Sequence, residues 1–135
     1  MKKVFFAIAT GLLLLPIGCS ADTTTVAVSA SPQVQTITAE EANLIMAETD
    51  SFVLLDVRTL AEFQETRIDG AILIPYDELM DRAEEALPDK SAVILIYCRS
   101  GRRSALVAEI LLALGYDRLY DFGGIMDWPF AVIDS

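Results

Sequence analysis

Short unbroken apolar runs alternate along the chain with stretches whose apolar residues recur at helical spacing. The runs are SFVLLDV (Ser51–Val57), GAILIP (Gly70–Pro75) and SAVILIYC (Ser91–Cys98), with shorter ones at QTI (Gln35–Ile37) and DRLYDF (Asp117–Phe122). A run without polar alternation suits a strand covered on both faces. SAVILIYC is the most apolar, which predicts a central strand. Between the runs lie TAEEANLIMAETD, TLAEFQET, YDELMDRAEEAL and RRSALVAEILLALG, all read as helices. Thr38 and Glu41 are spaced as a capping box for the first, with Leu44, Ile45 and Ala47 expected to face inward. Leu60 and Phe63 should share one side of the second. Pro88 ends the third, and Gly115 stands at the C′ position of the fourth. GGIMDWPFAVI closes the pattern with a turn and an apolar tail.

Strand and helix in alternation imply an α/β domain with a mostly parallel sheet and right-handed crossovers. Sites in such sheets lie beyond the C-terminal ends of strands. Two polar clusters fall there: Asp56-Val57-Arg58 after the second strand, and CRSGR after the fourth.

The first eighteen residues, MKKVFFAIATGLLLLPIG, stand apart from this pattern. Lys2 and Lys3 form a charged start, and Val4–Leu15 an apolar stretch shorter than the roughly 20 residues of a membrane span. An export signal over 1–18 fits better. The following Gly18-Cys19 resembles the lipobox of bacterial lipoproteins, although Pro16 stands where leucine is usual. That resemblance makes Cys19 the lipidated mature N-terminus and the membrane the anchor point; cleavage after Ala21, giving a soluble periplasmic or secreted protein, is the competing reading. Residues 19–34, rich in Thr, Ser and Ala, read as a tether, and 35–135 as one domain large enough for its own core.

Composition narrows the function. With 10 basic and 20 acidic residues the net charge is −10, and removal of Lys2 and Lys3 makes the remainder more acidic still. Nucleic acid is therefore not an expected partner. The chain holds no histidine, which excludes Cys-His and Ser-His catalysis and disfavours zinc. Its two cysteines are Cys19 and Cys98. If Cys19 carries lipid, Cys98 has no partner in the chain.

Cys98 ends a strand just before a helix N-terminus. Backbone N–H groups without intrahelical partners point into such a loop, and Gly101 permits it to curl into an anion nest. A thiolate at its centre is stabilised, and Arg99, Arg102 and Arg103 can add to that effect. The residues supply what a nucleophilic sulfur needs without a histidine base.

The stretches LLDVRTLAEFQETRIDGAILIP, VILIYCRSGRRSA, GY and DFGGIMDW, in this order and spacing, resemble a single rhodanese domain of the sulfurtransferase family. The resemblance implies a three-layer α/β fold with a five-stranded, mostly parallel sheet flanked by helices. It implies that Cys98 accepts a sulfane sulfur as a persulfide, with no cofactor. The donor would be a small thiosulfate-like anion and the acceptor a thiol, cyanide or a protein. Carried over, Arg103 closes the loop, Arg99, Ser100, Gly101 and Arg102 surround the sulfur, and Asp56 and Arg58 brace the loop or line the pocket. Arg67 replaces a histidine usual in the family. Related phosphatases use C-x5-R, whereas Arg103 follows Cys98 as C-x4-R, and the tighter ring suits a single sulfur. A binding or persulfide-carrier module is the alternative reading, with phosphatase or arsenate chemistry more remote. Replacement of Cys19 by Ser is expected to move the protein from the membrane to the soluble fraction, read by fractionation; unchanged partitioning would rule out Cys19 as the anchor.

Overall fold

The computed structural model of the protein describes residues 31–135. The leader over 1–18, Cys19 and the tether up to residue 30 lie outside the described residues. No helix among the described residues is long and apolar enough to cross a membrane.

Five parallel strands form the sheet: β1 (Val34–Thr36), β2 (Val53–Asp56), β4 (Ile72–Leu73), β5 (Ile94–Cys98) and β6 (Leu119–Gly124). Their order is β1-β6-β5-β2-β4, so the most apolar strand is indeed central, with all five of its residues buried. Side chains alternate across a strand. Ile94, Ile96 and Cys98 of β5 therefore join Leu55 of β2 on one face, under α3 (Leu79–Ala86) and α4 (Arg102–Ala113). Leu95 and Tyr97 join Leu54 on the other face, with Ala42 of α1 (Ala39–Glu48), Phe122 and Trp128. Both faces being covered explains why the strands read as continuous apolar runs. The result is the expected three-layer α/β fold.

Helix ends follow local chemistry. Thr38 and Glu41 form the capping box expected at α1. Gly115, at φ +94°, ends α4 in a left-handed conformation. Its N–H donates to Leu112 O at 3.0 Å, and that of Tyr116 to Leu111 O at 3.1 Å.

Several expectations need correction. Leu44 is 56% exposed and Ala47 is also exposed. The inward stripe of α1 is Ala39, Ala42 and Ile45, a three-residue spacing that turns Leu44 outward; the small alanines let the helix lie close to the sheet. Leu60 is 57% exposed and does not share a buried side of α2 (Leu60–Glu65) with Phe63, which is half-buried under the Arg67 guanidinium. GAILIP is not a fully buried strand: only Ile72–Leu73 pair, on one side, at the sheet edge. A second, antiparallel pair joins β3 (Thr66–Arg67) to β7 (Ile133–Asp134), folding the apolar tail back toward α2. Ser135 N–H donates to Glu65 O at 3.1 Å and extends this clamp.

Candidate active site

β5 delivers Cys98 to the C-terminal edge of the sheet, and α4 begins four residues later at Arg102. Gly101 makes the turn between them at φ +100°, a conformation that a side chain resists. Its N–H donates to Cys98 Sγ at 3.0 Å. Ser104, in the first turn of α4, places its Oγ 3.7 Å from the sulfur. The same hydroxyl lies 3.0 Å from Gly101 O and 3.2 Å from Gly123 O, so its single proton has two carbonyl acceptors. Burial alone pushes the Cys98 thiol up. The Ser104 N–H and hydroxyl, with the N–H groups of Gly101 and Ser100, more than offset this and hold it below the ordinary thiol value.

The loop is held from behind by β6. The register of β5 against β6 shifts between Ile96 and Cys98, pairing Cys98 with Gly124. A Cβ on Gly124 would stand 2.2 Å from Arg99 O and 2.7 Å from Ser100 Cα, an overlap with backbone that no rotamer relieves. A Cβ on Gly101 would meet Gly123 Cα at 3.3 Å. Two bare backbones thus pack directly together, and any side chain at Gly124 would push the nest open.

Arg103 is not a free positive charge. Its Nη1 and Nη2 each donate to Glu62, both at 2.9 Å. Glu62 also completes a capping box on α2: Thr59 N–H donates to its Oε2 at 3.0 Å, and Glu62 N–H donates to Thr59 Oγ1 at 3.3 Å. The Arg103 hydrogen bonds are the chief reason that the Glu62 carboxyl is lowered to about 2, with Thr59 contributing. Glu62 in turn raises Arg103, to which the facing Cys98 adds a smaller effect. The pair stays ionised throughout neutral and mildly acid pH, and fixes the guanidinium beside the sulfur. Arg99 and Arg102 are exposed, Ser100 is exposed and Gly101 half-buried.

Asp56 and Arg58 lie beneath, 0% and 2% exposed. Arg58 Nε donates to both carboxylate oxygens at 3.0 Å, and Nη2 donates to Oδ2 at 2.7 Å. Nη2 also donates to Thr66 O at 2.6 Å. The guanidinium sits 5.6 Å from the Tyr97 ring centroid. Burial, followed by the charge of Asp56 and a hydrogen bond to it, raises the Tyr97 phenol, whose oxygen accepts from Ile68 N–H at 3.3 Å. This cluster ties the ends of β2 and β5 to the segment Thr66–Ile68. Asp56 is shared between Arg58 and the Tyr97 phenol, while Arg58 also lines a cavity beside the loop.

The structure thus gathers Ser100, Gly101 and Arg103 around the Cys98 sulfur, with Asp56 and Arg58 below and Arg99 on the adjacent cavity, while Arg102 is exposed at the start of α4. Sequence reasoning passed over Glu62, Ser104, Gly123 and Gly124. Glu62 had a signal in Thr59-x-x-Glu62, the same capping pattern recognised at Thr38, but nothing local pairs it with Arg103 forty-one positions on. Among the described residues, no group of three or more His, Cys, Asp or Glu side chains is placed to hold a metal ion.

A parallel α/β sheet with a cysteine in an anion nest at the end of its central strand defines the class. The chain belongs to the rhodanese-like domain family, whose model matches residues 38–129. It is 38% identical over 73 residues to thiosulfate sulfurtransferase PspE of Escherichia coli K12, covering 54% of this chain and 70% of that one. A protein named sulfurtransferase from Allochromatium vinosum is 35% identical over 96 residues, 70% of this chain and 88% of the relative. Among solved structures, a rhodanese-like domain protein from Staphylococcus aureus superposes with a TM-score of 0.64 at 32% identity, covering 75% of this chain and 98% of that chain. A rhodanese with anions from E. coli gives 0.59 at 33%, covering 63% and 100%.

Two outcomes are expected. Asp56→Ala leaves Arg58 buried and unpaired, so urea unfolding should show a loss of about 3–5 kcal/mol. Ser104→Ala removes the hydroxyl that accepts from the Cys98 thiol and that, once the sulfur is ionised, can turn its proton from the two carbonyls toward Sγ. The pH midpoint of Cys98 alkylation should rise, and neutral-pH reaction should slow roughly tenfold; an unmoved midpoint would assign the stabilisation to backbone N–H groups alone.

Proposed function

We propose that the protein is a sulfurtransferase that carries sulfane sulfur on Cys98, from a thiosulfate-like donor to a thiophilic acceptor. The observation that carries this reading is the sulfur itself: Sγ lies 3.0 Å from Gly101 N–H, at the centre of a donor ring that holds the thiol below its ordinary value. The names of the relatives support the same class of reaction.

In the first half-reaction the Cys98 thiolate attacks the outer sulfur of thiosulfate. The sulfur–sulfur bond of the donor breaks, sulfite leaves with the electron pair, and Cys98–S–S⁻ forms. The ring of N–H groups that held the thiolate now faces a persulfide anion. In the second half-reaction cyanide or a thiolate attacks the terminal sulfur, and Cys98 departs as thiolate, ready for the next cycle. Charge and atoms balance in both steps without an external oxidant. The short C-x4-R loop favours this chemistry over phosphoryl transfer, which needs room for a tetrahedral group. Export and attachment through lipid on Cys19 belong to the same proposal and rest on residues 1–19 alone.

The test uses the full chain mixed with thiosulfate. Intact-mass analysis should show a gain of about 32 Da, one sulfur atom as persulfide, placed on Cys98 by peptide mapping and removed by cyanide. Cys98→Ser should show no gain while keeping its fold by circular dichroism. A folded wild-type protein with a reactive thiol and no gain would overturn thiosulfate-like donation.

A further inference from the structure

A cavity of about 360 Å³ opens beside the Cys98 loop, within the range of small-ligand sites. Its inner rim is Arg99, the residue after Cys98, and Glu62, the partner of Arg103. Its outer wall is the tail: Trp128, Phe130 and Val132. Phe130 and Val132 are 39% and 38% exposed, and Met126 beside them 66%, so apolar surface is grouped at the mouth of the cavity.

The wall is built rather than loose. Phe122, Trp128 and Phe130 form a chain of aromatic contacts at 5.5 and 5.0 Å between ring centroids. Trp128 Nε1 donates to Ala131 O at 3.4 Å. The β3–β7 ladder then clamps the segment beyond Val132. The charges of the lining are mostly spent: Arg58 on Asp56, and Glu62 on Arg103. Arg99 and Glu65 remain, of opposite sign. An inorganic dianion gains nothing from such walls. An organic body without net charge fits them, with a thiolate directed toward Arg99 and the persulfide.

We infer that this cavity is the acceptor subsite, and that it selects small thiols with apolar, uncharged bodies. The inference rests on the sulfurtransferase reading above. The thiol enters with its chain against Phe130 and Val132, and its sulfur attacks the terminal sulfur of Cys98–S–S⁻. A new sulfur–sulfur bond forms in RSS⁻, the Cys98 sulfur–sulfur bond breaks, and Cys98 leaves as thiolate. The thiol proton passes to solvent, and no oxidant or reductant is consumed.

The experiment separates the two half-reactions. Full-length protein is loaded with thiosulfate, loading is verified by mass, and sulfur removal is timed with ethanethiol, propanethiol, butanethiol and pentanethiol. These share nearly the same thiol acidity, and 3-mercaptopropionate serves as the charged comparison. Each methylene that enters the cavity should raise the second-order rate constant about three- to fourfold, with the carboxylate thiol falling below the series. Phe130→Ala should flatten the dependence on chain length; Val132→Ser is the second variant should the first fail to fold. The readout is a slope within each protein, so a change in loading drops out. A flat series in loaded wild-type protein overturns the subsite and leaves sulfur transfer standing. A slope unchanged in a folded variant overturns its location. Failure to load overturns the reading beneath it.

Discussion

The close approach of β6 to the Cys98 loop is the constraint on which the rest of the site depends. A buried thiolate costs desolvation energy unless several donors converge on it, and the donors here are backbone N–H groups, whose direction is set only by how tightly the chain curls. Gly101 permits the curl, at φ +100°. Gly124 permits β6 to press against its outer side, where a Cβ would come within 2.2 Å of Arg99 O. Ser104 then joins the two segments, since its hydroxyl faces Gly101 O and Gly123 O as well as the sulfur. The register slip between β5 and β6 acquires a function in this light. It brings a second backbone under the loop and leaves less freedom for the nest to open when the sulfur changes charge or acquires another atom.

Charge enters the site in a different way from the one that a count of arginines suggests. Three arginines follow one cysteine in a protein of net charge −10. Yet Arg103, which Cys98 influences, is bound on two prongs to Glu62, whose carboxyl is lowered to about 2. Paired in this way, Arg103 acts less as a monopole than as a guanidinium of fixed orientation. Backbone N–H groups and the Ser104 hydroxyl hold the Cys98 thiol below its ordinary value, and Arg99 and Arg102 stand exposed to solvent. The division is physically sensible. A buried unpaired guanidinium would be costly, whereas N–H groups at a helix start exist whether or not a ligand uses them.

Much of this was legible in sequence because burial on two faces writes itself as an unbroken apolar run. β2 and β5 were readable for that reason, and the order of loops followed from the parallel connections. Cys98 and its curl were readable because a strand end, a glycine and a helix start are contiguous. Leu44 was misread because α1 packs through alanines, whose small size hides the true inward stripe. The weak edge pair Ile72–Leu73 looked like a core strand because GAILIP is apolar throughout, though Ile72 is 40% exposed. The β3–β7 pair left no pattern, since two residues cannot establish a period. Glu62 and Gly124 act across long sequence separations, where only the folded chain reveals the partner.

In the proposed reaction the two halves of sulfur transfer ask for different surroundings, and separate elements of the fold would serve them. Sulfur is held by β5, α4 and β6, the most buried and most tightly packed part of the sheet, where small shifts would spoil the convergence of donors. The cavity beside the loop is walled by the tail after β6, clamped by aromatic contacts and a two-residue ladder. A change in Phe130 or Val132 alters what stands next to the sulfur without touching Gly101, Ser104 or Gly124. Such a division would let the proposed persulfide chemistry serve different acceptors by substitution in one peripheral segment. Phe130 and Val132 stand part-exposed beside Arg58 and Arg99, where a ligand that comes and goes, rather than the core, would cover them.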